Sequence, residues 1–351
     1  MKSGKYIFRK FIFLTLTIWG VISLLFLLFQ LLPDPTTLLQ GQRSDLTTKK
    51  NMEEELGLNK PALIRYINYL NDLSPISIHD IEKVNQLNYI KVVQINNKLL
   101  VLKSPYLGQS YQSKKPVIEL LKEYFPGTLI LASLSMGLAF GLGIILGSFS
   151  AIKQDSFLDQ SIIGISTIGV SVPSFFSAII ISWFFGFVIH DFTGLSMTGS
   201  WKDYIAGEGE KIMWLNLILP SLALGIRPLA VITQLTRSSM IEVLGSEYIR
   251  TAKAKGLNKF QIIKRHALKN TLNPVITASS GWFASLLAGS FFVEYIFGWK
   301  GIGKLTVESL EKSDYPVVMG CVLLVASLFI IINTLVDISY KYLDPRVEIN
   351  Q

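Results

Sequence analysis

Residues 125–152 run for 28 positions, FPGTLILASLSMGLAFGLGIILGSFSAI, without one charged side chain. About 20 mainly apolar residues suffice for a helix to cross the hydrocarbon of a bilayer. Five more stretches meet the same test: Phe11–Leu32, Ser161–Ile189 with a break at Pro173, Met213–Thr236, Val275–Val293 and Val317–Val336. Six spans make an all-α polytopic membrane protein and return both termini to one side. The apolar run of the first stretch exceeds the roughly 7 to 15 residues of a signal-peptide core, and no small-residue cleavage site follows it. It reads as an anchor. Composition agrees, because only 17% of the 351 residues are charged against about 25% in a soluble domain.

The net charge of +8 fits nucleic acid, anionic lipid or membrane topology, and its placement decides. Lys and Arg gather in short cytoplasmic segments. Lys2, Lys5, Arg9 and Lys10 precede the first span, and Arg237, Arg250, Lys253, Lys255, Lys259, Lys264, Arg265 and Lys269 lie between the fourth and fifth. The connections at residues 190–212 and 294–316 carry more acid than base. Both termini are therefore expected in the cytoplasm, and the basic balance does not point to nucleic acid.

Residues 33–124 are too polar to span and too long for a plain loop, so a small mixed α/β extracytoplasmic insertion is expected between spans one and two. Leu63, Ile67 and Leu70 recur at helical spacing after Pro61, which suits a helix start. The run YIKVVQINNKLLVLKS reads as a hairpin turning at Asn96 and Asn97, residues that tolerate the left-handed backbone of a tight turn. The resulting domains are 1–32 (cytoplasmic N-terminus and first span), 33–124 (outer domain), 125–344 (membrane core with a cytoplasmic loop at 237–274) and 345–351 (cytoplasmic tail).

Catalytic chemistry finds little support. His79, His190 and His266 fall in segments that cannot meet, and the single cysteine, Cys321, excludes a thiolate zinc site. No metal, cofactor or catalytic residue is expected. GWKGIGK at 298–304 has phosphate-loop spacing, but Leu305 stands where Ser or Thr must hold magnesium. Gly137, Gly141, Gly143 and Gly147 form a small-residue stripe that permits close helix approach, either as plain packing or as a contact that slides during gating. Arg227 is the only formal charge within the six spans. A charge at that depth needs a partner or water. It either bonds to carbonyls of a neighbouring helix and snorkels, or lines an aqueous path and meets anionic groups of a substrate.

The segment SEYIRTAKAKGLNKFQIIKRHALKN, 246–270, reads as two short helices meeting at Gly256. Ser246 suits a helix cap with Glu247 in the first turn, and Asn258 with Gln261 is a capping-box variant. Ile249, Ala252, Leu257, Phe260 and Ile263 give an apolar surface amid basic residues. Such a loop either lies on anionic lipid or docks as a knob into a cytoplasmic partner.

Glu247 to Gly256 resembles the cytoplasmic loop of ABC importer permeases, in the version of the oligopeptide, dipeptide and nickel group. The resemblance runs through LTRSSMIEVLGSEYIRTAKAKG, RHALKNTLNPV, VEYIFGWKGIGKL, DYPVVMG and LVDISYKYLDPR, and earlier through ELGLNKP, GTLILASLSMGLAFGLGIILG and GVSVPSFF. It covers nearly the whole chain. It implies a type I ABC importer permease core in the plasma (inner) membrane, without catalysis of its own. Two ABC ATPase subunits, a second permease subunit forming a heterodimer, and an extracytoplasmic substrate-binding protein are the implied partners. The implied substrates are oligopeptides or dipeptides; nickel, glutathione or another small solute is the alternative. By this resemblance Glu247, Ala252, Ala254, Gly256, Leu257 and Phe260 form the ATPase-coupling loop. Arg250, Thr251, Lys269 and Lys300 depart from the common pattern, and residues 74–105 are extra relative to the group. A proton-coupled carrier or membrane enzyme would need buried acids or clustered histidines that the spans lack. A signalling anchor would need the loop only for lipid.

Overall fold

The computed structural model describes residues 2–31, 59–80, 89–95, 98–205, 207 and 209–343. The expected tail 345–351, all of 33–58 and the hairpin tip lie outside the described residues. In chain order the elements are helices α1 (Lys2–Gln30) and α2 (Ala62–Leu73), and strands β1 (Ile76–Asp80), β2 (Tyr89–Ile95) and β3 (Lys98–Lys103). Next come α3 (Val117–Ile152), α4 (Phe157–Ser171), α5 (Ser174–Trp183), α6 (His190–Thr193), β4 (Lys202–Ile205) and β5 (Gly209–Ile212). The chain continues through α7 (Ile218–Leu244), α8 (Glu247–Ala254), α9 (Lys259–Ile262), α10 (Leu268–Gly289), α11 (Phe291–Ile296), α12 (Ile302–Glu311) and α13 (Tyr315–Leu343). The protein is mostly helical.

Among the described residues, four helices are long and apolar enough to cross a membrane: Phe8–Gln30 within α1, α3, Trp214–Leu244 and Tyr315–Val336. The pair α4 and α5, bent by 109°, adds a fifth if taken as one span. The bend falls at Val172 and Pro173, both extended, because proline disfavours helix for the residue before it. The expected fifth span, in α10, does not pass this test. Asn270, Thr271, Asn273, Ser279 and Ser280 lower its apolarity.

The chain divides into two compact units, 1–123 with 305–324 and 124–304 with 325–351. In the first, α2 follows Pro61, and β1, β3 and β2 form an antiparallel sheet in that order. Ile95 pairs with Lys98 across Asn96 and Asn97. Leu99, Val101 and Lys103 are buried, while Ile76, Ile78, Ile90 and Leu102 are exposed, as the period-two alternation of strands requires. The buried Asp314 accepts from the Ser110 hydroxyl and from the Tyr111 N–H at 2.9 Å.

In the second unit, α7 packs on α4, α5 and α10. Leu131, Leu219, Ile232, Val275, Val293, Phe297 and Trp299 belong to its main core. The glycine stripe divides. A Cβ on Gly143 would strike Ile232, and one on Gly147 would strike Thr236 and the Thr233 carbonyl, so these two admit α7. Gly137 and Gly141 face open space.

Candidate functional site

Within 237–274 helix claims both flanks of the basic segment between α7 and α10. α7 continues to Leu244, and α9 runs through a π-turn at Ile263–Ala267 directly into α10. Thirty-one residues from Lys259 to Gly289 are thus continuously helical.

Ser246 occupies the cap position of α8 in extended conformation, but its side chain does not cap the helix. Its hydroxyl donates to the Val243 carbonyl at 2.6 Å, so the α7 end captures it. At the other end Gly256 has φ +80°. Its N–H donates to the Lys253 carbonyl at 3.0 Å, and that of Leu257 to the Ala252 carbonyl at 3.3 Å. This is the Schellman arrangement, in which a left-handed residue closes a helix and glycine adopts it without a Cβ penalty. The capping box of α9 is present in both directions: Gln261 N–H to Asn258 at 2.9 Å, and Asn258 N–H to Gln261 at 3.2 Å.

These local rules aim the side chains. Ile249 and Ala252 are buried against Met240, Ala151, Ile262 and Ala267, so Ala252 faces its own chain. Glu247, Ala254, Gly256 and Phe260 are exposed and Leu257 half-buried. Phe260 is 70% exposed, with Lys264 Nζ 5.9 Å from its ring centroid. The Glu247–Arg250 pair, 2.7 Å apart, is open to solvent and adds little stability. Tyr248 ties the loop down by accepting from the Asn270 amide at 2.7 Å. The exposed apolar tip therefore rests on a fixed base.

One helical turn before Met240, Arg237 grips Asp159 with two bonds of 2.7 Å. Asp159 also accepts from the Ser150 hydroxyl and, at 2.9 Å, from the Asp155 N–H. Every oxygen of this buried carboxylate is satisfied, as buried charge demands. The cluster joins the end of α3, the start of α4 and the end of α7. Sequence reading missed it, because one aspartate and one of eight basic residues, 78 positions apart, look like ordinary solvated charges.

Arg227 is exposed on α7 beside Pro228, and no ion pair to it occurs among the described residues. The glycine-rich segment 298–304 also has a structural use. Glu294, fully buried, accepts from the Ser290 hydroxyl at 2.8 Å and from the N–H groups of Gly303 and Lys304 at 2.7 and 3.2 Å. The N-terminus of α12 is a natural anion site, and the chain's own carboxylate fills it. A Cβ on Gly301 or Gly303 would collide with Glu294.

The chain belongs to the binding-protein-dependent transport system inner membrane components, whose family model matches residues 143–349. The N-terminal model of the same membrane components matches residues 4–132. It is a multi-pass permease of an ABC importer of the peptide group. Among its relatives is the dipeptide transport system permease protein DppB of Alkalihalophilus pseudofirmus, 33% identical over 98% of this chain and 99% of that protein. DppB of Bacillus subtilis is 32% identical over 99% of both chains, and DppB of Escherichia coli 32% over 98% of both. Among solved structures, a chain from inward-facing conformations of the MetNI methionine ABC transporter superposes with a TM-score of 0.52. It is 17% identical, covering 65% of this chain and 97% of that one, and it speaks to the fold.

Proposed function

We propose that this permease carries dipeptides or short oligopeptides inward, driven by two ATPase subunits that grip the exposed tip of the loop between α7 and α10. The observation that carries the substrate is identity of 32–33% along nearly the full length of three dipeptide permeases. The exposed Gly256–Phe260 tip on a packed base supports the docking role. Movement of the tip is transmitted by Ile249 and Ala252 to Met240, and from α7 to α4 through Arg237 and Asp159. ATP-driven closure then rocks the spans as rigid bodies between inward- and outward-facing states.

In this reading α10 completes six spans. Its 22 residues reach about 33 Å at roughly 1.5 Å each, and its Thr271 and Ser279 are buried inside the protein, where polar groups need not meet lipid. Both termini are cytoplasmic, the 33–124 domain faces outward toward a substrate-binding protein, and a second permease completes a heterodimeric pore. Arg227 lines the path and meets the carboxylate that every peptide carries. The test is uptake of a labelled dipeptide into vesicles bearing the complete importer. Arg227→Ala lowers uptake at least several-fold with assembly intact. Unchanged uptake removes Arg227 from the path, and uptake of nickel or glutathione in place of peptides overturns the substrate.

A further inference from the structure

Helix α2 carries apolar side chains on both of its sides. On one, Tyr66 and Tyr69 meet α1: the Tyr66 hydroxyl lies 2.6 Å from Ser23 Oγ, and the two rings lie 5.2 and 6.1 Å from that of Phe26. On the other, Leu63, Ile64 and Ile67 are 69, 45 and 56% exposed. A helix in water keeps one apolar stripe; apolar groups on a second side, as in α2, need cover of their own.

α1 supplies a depth gauge. Its apolar stretch ends at Gln30, and Phe29 packs 5.4 Å from Tyr315, the first residue of the apolar helix α13. Two spans therefore end at one level. Phe26 and Ser23 lie three and six residues further in, about 4.5 and 9 Å at roughly 1.5 Å per residue. The face of α2 that meets them sits below the level at which the spans end. That depth matches the roughly 5–10 Å at which interfacial helices bury their apolar face.

Charge completes the pattern. Lys60 and Arg65 are the cations of the segment 59–73, and its one acid, Asp72, is engaged with Lys103 at 3.9 Å. Asn71 holds both the N–H and the carbonyl of Ile78, at 2.9 and 2.8 Å, so the sheet is fixed to the helix. We propose that α2 is an interfacial helix whose Leu63, Ile64 and Ile67 seat among phospholipid acyl chains, with the exposed Lys60 at the anionic headgroups. It holds the sheet β1–β3 at a set height above the bilayer. The proposal needs α1 to span; only the choice of the outer leaflet rests on the topology proposed above.

The test places an environment-sensitive fluorophore at Leu63→Cys or Ile67→Cys in the full-length chain, reconstituted in phosphatidylcholine and phosphatidylglycerol vesicles. Cys321 is buried, and the parent chain serves as the labelling blank. The expected result is strong quenching by lipid spin-labelled near the headgroup, weaker quenching by lipid labelled deep in the chain, and several-fold protection from aqueous iodide relative to the same probe at Lys91→Cys. Equal access to iodide with no lipid quenching overturns the proposal. So does protection that arises only when a binding protein or second permease is added, which makes the face a protein interface. Side-specific labelling at Lys91→Cys reports the topology separately, so a cytoplasmic location there leaves the lipid-quenching result standing.

Discussion

Ala252 and Phe260 stand eight residues apart in one loop and face opposite ways, so their substitution separates folding from docking. Ala252→Leu forces extra volume against Met240 and Ala267 and is expected to cost about 1–3 kcal/mol, seen as a lower melting temperature in detergent without any partner. Phe260→Ala removes a side chain with little packing of its own. It leaves that melting temperature unchanged while ATPase co-purification falls. Asp159→Asn removes the negative charge and at least one of the two hydrogen bonds from Arg237, and because Arg237 keeps some access to solvent the cost is near the low end of buried pairs, about 3 kcal/mol. A double-mutant cycle with Arg237→Gln checks it. At this scale the sequence disclosed what local rules govern: Gly256 as a helix stop, and Asn258 with Gln261 as a capping box. The inward aim of Ala252 and the Asp159–Arg237 pairing depend on how α3, α4 and α7 come together, which short-range spacing does not encode.

At the scale of elements, the segment 298–304 shows how a motif and its use part company. Its glycines serve the purpose that glycines serve in phosphate loops, exposing N–H groups to an anion, but the anion is Glu294. Gly303→Ala would press a methyl against Phe291 and the Glu294 carboxylate. It is expected to destabilise the protein by about 1–3 kcal/mol, read by thermal denaturation, with no change in ATPase affinity for the cytoplasmic loop. The apolar stretches marked α1, α3, α7 and α13, and Pro173 marked the bend between α4 and α5, while the stretch expected as the fifth span lies in α10, which is not apolar enough to be counted among them. Helix ends were less legible. The fourth span was expected to end at Thr236, whereas α7 continues to Leu244, because polar residues continue a helix readily once it leaves the hydrocarbon. The exposed side of α2 was invisible as such, since Leu63, Ile67 and Leu70 look like one stripe at helical spacing, whereas the helix offers apolar groups to two different neighbours.

For the whole molecule, the family followed from several ordered motifs, and the proposed orientation rests on which side holds the basic loop. A membrane-impermeant thiol reagent applied to intact cells is expected to label Tyr204→Cys and to leave Phe260→Cys unlabelled until the membrane is opened. The reverse pattern inverts the protein. In the proposed mechanism a chain without catalysis of its own moves peptide because ATPases seize the tip at Gly256–Phe260. The most direct measurement is uptake of a labelled dipeptide by proteoliposomes containing the two permeases, with the ATPases and binding protein added or withheld. The expected outcome is uptake that requires ATP, the ATPases and the binding protein together, and that is abolished by Gly256→Val. Uptake that persists without the ATPases contradicts the account.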